Sequence, residues 1–105
     1  MIQTSSNHHG LTFSQERLAE FCGRYRICRL ALFGSILRGD VGPNSDVDVL
    51  VEFEPGTRTG LKFFAIQDEL SEIFGRRVDL NTRECLSKYF RDRVLAEAEV
   101  QYAES

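Results

Sequence analysis

No stretch of the sequence approaches the roughly 20 consecutive apolar residues that a membrane-spanning helix needs. The N-terminus also lacks the basic-then-apolar order of a secretory signal. Cysteine is scarce: Cys22, Cys28 and Cys85 form an odd, widely spaced set that points to neither a disulfide framework nor a zinc site. Packing accounts for all three, and a cytoplasmic protein without membrane association is expected. An excess of basic charge is missing as well. Lys and Arg number 13 against 16 Asp and Glu, for a net charge of −3. Broad nucleic-acid binding takes a surplus of cations on one surface, so strong binding of that kind is not expected, although a local basic site remains open. Acidic residues gathered in one cleft would instead attract divalent cations, and these can hold a triphosphate that the bare protein repels. Internal repeats are absent too.

What is present suffices for one compact core. The 105 residues are 42% hydrophobic and 28% charged, too few for two domains. Residues 1–11 are polar, with a Thr-Ser-Ser-Asn-His-His-Gly run lacking apolar periodicity, and predict a flexible arm before a single domain over 12–105. Thr12 or Ser14 can cap a helix to about Cys22, with Leu18, Phe21 and Cys22 at helical spacing and Gly23 as the stop. Ile27 to Phe33 reads as a strand running into a Gly34-Ser35 turn, followed by a short helix over 36–39. The stretch from Gly39 to Ser45 is turn chemistry, and Val47 to Phe53 is the clearest strand. Leu61, Phe64, Ala65, Leu70, Ile73 and Phe74 trace a helical stripe that stops near Gly75. Arg77 to Leu80 reads as a short strand, and Leu86, Phe90, Val94 and Leu95 mark a last helix reaching about Ala98. The alternation implies an α/β fold of about three strands covered by helices. The 39–45 link is too short for a parallel crossover, which predicts a small mixed sheet.

Alternate residues of a strand share a face. Val47, Val49, Val51 and Phe53 therefore make an apolar side, while Asp46 and Asp48 project from the other. Their separation of roughly 7 Å along the strand lets both carboxylates converge on cations about 4 Å apart, as in two-metal sites. Asp79 stands opposite to Val78 and Leu80, so pairing its strand with 47–53 adds a third carboxylate. Three crowded carboxylates raise one another's pKa, and a divalent metal makes the ionised cluster favourable. Gly34 permits close backbone approach, Ser35 adds a hydroxyl at a helix start suited to phosphate, and Arg38 one turn later can reach the same anion. Ser45 directly precedes the first candidate ligand. Each piece alone has a bland reading, since Gly-Ser is commonly a turn and Asp-x-Asp a solvated strand face. Phe63 and Phe64 read as core in preference to a base-stacking pair. Arg58, Lys62, Arg76 and Arg77 read either as phosphate contacts or as solvated charge, and Glu52 lies too far along its strand to join the carboxylates.

In combination, Gly34-Ser35-x-x-Arg38-Gly39, Ser45-Asp46-x-Asp48 and the later Val78-Asp79-Leu80 resemble the MNT-type minimal nucleotidyltransferases of the DNA polymerase β superfamily. The resemblance covers about residues 14 to 100, including Ser87 to Leu95, which is similar to that family's closing helix. It implies a polymerase β-like nucleotidyltransferase fold. Gly34 and Ser35 would bind the triphosphate of ATP, Asp46 and Asp48 would ligate Mg²⁺, and Asp79 would complete a two-metal site and help deprotonate the acceptor. It further implies a HEPN-type helical toxin as partner, modified on a tyrosine by AMP, with this chain as antitoxin. Two alternatives stay open: an antitoxin that acts by occlusion without catalysis, and nucleotidyl transfer to a small molecule, which normally requires an additional substrate-binding domain.

Overall fold

The computed structural model describes residues 5–8, 11–39 and 45–104. Strand β1 (Ser5–His8) pairs antiparallel with β2 (Leu11–Ser14), in the register Ser5↔Ser14 to His8↔Leu11. The structure thus differs from the expected arm over 1–11. Its described part is paired, and Leu11 is buried beside Phe13, because the alternating Leu-Thr-Phe-Ser pattern gives β2 an apolar face. The remaining arm positions, His9 among them, lie outside the described residues.

Helix α1 (Gln15–Arg24) is capped by Ser14, whose hydroxyl accepts from the Arg17 N–H at 3.2 Å. It runs through Gly23, and the left-handed residue beyond its end is Arg26, at φ 59°. Strand β3 (Ile27–Phe33) then pairs antiparallel with β4 (Val47–Phe53). Between them lies α2 (Ser35–Arg38), a single turn closed by Gly39 at φ 73°, while the predicted turn over 40–44 is outside the described residues. From β4 the chain crosses over through α3 (Lys62–Phe74) to β5 (Val78–Asn81), which lies parallel to β4. A 3-10 turn (Arg83–Cys85) leads to α4 (Lys88–Glu97), capped by Ser87. The chain returns in β6 (Glu99–Ala103), antiparallel to β3, a strand that the helical reading up to Ala98 did not anticipate. The sheet order is β5-β4-β3-β6, a mixed sheet as expected.

One face of this sheet presents Leu30, Leu32, Val47, Val49, Val51, Val78 and Leu80 to Leu18, Phe21 and Cys22 of α1 and to Ile66, Leu70, Ile73 and Phe74 of α3. On α3 the apolar stripe starts one position away from the expected one. Phe63 packs against the core and Ile66 is buried, whereas Leu61 and Phe64 are 86% and 62% exposed. The opposite face carries a smaller cluster, Phe33, Leu50 and Leu86, over which α4 lays Val94 and Leu95. At the outer edge, the N–H groups of Val78 and Leu80 donate to Ser71 Oγ at 3.0 Å and Gln67 Oε1 at 2.9 Å, so α3 grips β5 by backbone as well as by packing. Among the described residues no helix is long and apolar enough to cross a membrane.

Candidate active site

The end of β3, the start of β4 and the start of β5 meet at one pole of the sheet. Register does the assembling. Phe33 pairs with Asp48, and Asp48 pairs with Asp79 in the parallel ladder, so Asp48 is the middle of the three strands' contributions. The chain leaves β3 through Gly34, at φ 80° and ψ −147°, a conformation that glycine alone adopts at ease. A Cβ on Gly34 would overlap Asp48 Oδ2 and stand 3.3 Å from its Cγ. The turn therefore brings backbone directly against the carboxylate, a close approach available only without a side chain. Gly34 O accepts from Leu37 N at 3.1 Å, which starts the α2 turn.

Burial pushes the Asp48 carboxyl above its ordinary range, and the charge of Asp79, a hydrogen bond with Asp79 and the charge of Asp46 push in the same direction, while the Arg38 guanidinium opposes them. Asp46 is more exposed and lies 3.9 Å from Arg77 Nε. Arg76 donates to the Ser45 carbonyl at 2.9 Å, and Val47 N donates to Arg77 O at 2.8 Å. These contacts fasten the approach to β4 against the approach to β5. The two arginines left open between solvated charge and phosphate contact thus have a positioning part at the site.

Gly34, Arg38, Asp46 and Asp79 all stand near Asp48. Ser35 follows at the head of α2 and Ser45 precedes Asp46, the latter engaged through its backbone carbonyl. None of the site residues expected from the sequence lies on α4. In the structure its Arg93, Val94 and Glu97 line a cavity of about 510 Å³ with Phe33, Gly34 and Arg38. The one signal for them was the Arg93–Glu97 spacing of four, which forms an ion pair at 3.2 Å on the helix surface.

Among the described residues no three acidic, His or Cys side chains stand as a ready-made metal cage. The donor set still suits Mg²⁺. It consists of hard carboxylate oxygens, and the central one is loaded by two like charges that a cation would relieve.

A small mixed sheet whose glycine turn abuts an Asp-x-Asp strand, with a third aspartate in register beside it, defines a minimal nucleotidyltransferase fold. The family model described as the nucleotidyltransferase domain matches residues 15–100, and the chain belongs to that family. A similar protein is the protein adenylyltransferase MntA of Thermococcus cleftensis, 36% identical over 87 residues, which are 83% of this chain and 84% of that one. A Methanocaldococcus jannaschii protein, provisionally named as a protein adenylyltransferase, is 44% identical over 57 residues, 54% of this chain and 57% of that protein's length. Among solved structures, one described as a candidate minimal nucleotidyltransferase superposes with a TM-score of 0.67 at 37% identity, covering 80% of this chain and 85% of the other. A toxin–antitoxin structure with AMP-PNP superposes at 0.68, covering 87% and 74% of the two chains, and at 18% identity it shares the fold.

Proposed function

We infer that this chain is a cytoplasmic, Mg²⁺-dependent protein adenylyltransferase that moves AMP from ATP to a tyrosine hydroxyl of a HEPN-type helical toxin and thereby serves as its antitoxin. The observation that carries this reading is the placement of Asp48, flanked in register by Asp79, near Asp46 and abutted by Gly34. Support for the acceptor comes from relatives. The Thermococcus protein bears the name protein adenylyltransferase, and a structure with this fold holds a tri-AMPylated Shewanella oneidensis HEPN toxin with its MNT antitoxin.

In this reading Asp46, Asp48 and Asp79 would hold Mg²⁺, which when bound would supply charge neutralisation for the triphosphate and the pyrophosphate. Gly34 and Ser35 bind the triphosphate, with Arg38 and Ser45 alongside. The acceptor oxygen bonds to the α-phosphorus as the bond to the pyrophosphate oxygen breaks, and Asp79 assists removal of the hydroxyl proton. In-line placement accounts for most of the catalysis, so no nucleophilic side chain is required. The test is intact-mass measurement after incubating the chain with its co-purifying partner, Mg²⁺ and each nucleoside triphosphate. A partner heavier by whole nucleoside monophosphate units, with ATP as donor, is the expected result. Neutralisation without any adduct, equally strong in Asp46→Asn, decides instead for occlusion.

A further inference from the structure

The pole farthest from the carboxylates gathers positive charge from positions scattered in the sequence. It lies where β3 begins and β4 ends, about 17 Å from Asp48 along the strand. A cavity of about 260 Å³ there is lined by Arg24 and Arg26 from the end of α1 and the turn after it, Thr57 and Arg58 from the loop following β4, and Lys62 from the first turn of α3. Four cations converge on a chain whose net charge is −3. Arg24 is paired with Glu69 at 2.6 Å, and the same carboxylate accepts from the Tyr25 hydroxyl at 2.7 Å. Among the described residues Arg26, Arg58 and Lys62 have no acidic partner.

Two independent features mark the cavity as more than a charged surface. Arg26 is the one described residue other than glycine at positive φ, a conformation that costs about 1–3 kcal/mol and is held here by the bond from Glu54 N to its carbonyl at 2.8 Å. Thr57 Oγ1 is buried without a hydrogen-bond partner, and such hydroxyls ordinarily have one. Forked guanidinium groups, a lysine ammonium and a hydroxyl around a small cavity match the charge and the several acceptor oxygens of a phosphate group.

We propose that the cavity between Arg26, Thr57, Arg58 and Lys62 is a second oxyanion site, which takes the phosphate group of a small phosphate-bearing ligand and is separate from the triphosphate turn at Gly34 and Ser35. Free phosphate and the terminal phosphate of a nucleotide share this chemistry. The site does not depend on the transfer reaction, so its test is run in the Asp48→Asn background without divalent metal, which separates it from the catalytic pole.

Inorganic phosphate and ADP are each titrated into that protein in chloride buffer while the amide resonances of Arg26, Thr57 and Lys62 are followed. Saturable shifts are expected there. The Arg58→Ala/Lys62→Ala double substitution weakens binding by about tenfold or more. Exposed Lys88→Ala leaves binding unchanged, and Arg58→Lys partly restores it in an Arg58→Ala comparison. Arg58 and Lys62 are both exposed, so an unchanged melting temperature verifies folding. Tighter binding of ADP identifies a nucleotide as the source, and equal binding identifies free phosphate. Shifts that never saturate at millimolar ligand, or a double variant that binds like its parent, overturn the proposal.

Discussion

Replacing Gly34 by alanine tests the geometry of the catalytic pole most directly, because two separate effects should add. The first is backbone strain. At φ 80° and ψ −147° Gly34 occupies a region nearly closed to other residues, and holding alanine there costs about 1–3 kcal/mol. The second is the encounter with Asp48, whose carboxylate must rotate away from the new methyl at about 0.5–1.5 kcal/mol for a strained rotamer. Together they reach about 1.5–4.5 kcal/mol. For a domain of this size the melting temperature should then fall by on the order of 10–30 °C.

Gly75→Ala is the control. Gly75 has φ 68°, and a methyl added there would meet no atom within 4 Å, so only the left-handed penalty of about 1–2 kcal/mol applies. Repeating Gly34→Ala in an Asp48→Ala background should return the steric part as a favourable coupling of about 0.5–1.5 kcal/mol. Thermal and urea unfolding of the four proteins provides the cycle, and adenylyl transfer by Gly34→Ala should be lost in parallel. A Gly34→Ala protein no less stable than Gly75→Ala, with zero coupling to Asp48, refutes the close approach.

Asp48→Asn should abolish transfer yet melt higher than the parent in the absence of divalent metal. The Asp48 carboxyl is held above its ordinary value, so its ionised form opposes folding at neutral pH and the native state gains stability only as pH falls; a lower melting temperature for Asp48→Asn would contradict this. Glu69 carries the opposite sign. The Tyr25 hydroxyl first, and then Arg24, hold its carboxyl below 4.5, so its stabilisation is complete above pH 4.5 and disappears as pH falls through the lowered folded value. The stability difference between parent and Glu69→Gln should therefore shrink in acid, and a constant difference across a urea-unfolding pH series would exclude the linkage. Thiol labelling should separate the cysteines, with exposed Cys85 reacting in the native state and Cys22, buried and with its thiol pushed up to about 12, reacting only on unfolding. Mass-mapped modification of Cys22 under native conditions would count against the packed α1 face.

Much of this was legible because the responsible signals are local. The alternation of Val47 to Phe53 fixed both a strand and the face of its aspartates, and the Gly39 to Ser45 link excluded a parallel partner for β3. Asp79 was legible only conditionally, since its position depends on a register made by the α3 crossover, which no local pattern specifies. Strand β6 was missed because Glu-Val-Gln-Tyr-Ala sits on a sheet edge with mostly exposed side chains and so shows no buried alternation. On α3 two adjacent phenylalanines admitted either face, and packing against the core selected Phe63. The Arg93–Val94–Glu97 wall arises from the way α4 folds back over Phe33 and Leu50, a tertiary fact.

The grip of Gln67 and Ser71 on β5 also bears on how the protein can assemble. A sheet edge with unsatisfied donors invites another chain to add a strand. Here the outward N–H groups at 78 and 80 are already engaged by α3, so a visiting strand would have to compete with the chain's own side chains at the edge that carries Asp79. The other edge of the sheet is β6, where Val100 is half exposed, so pairing with a further strand is less hindered there than at the margin that carries Asp79.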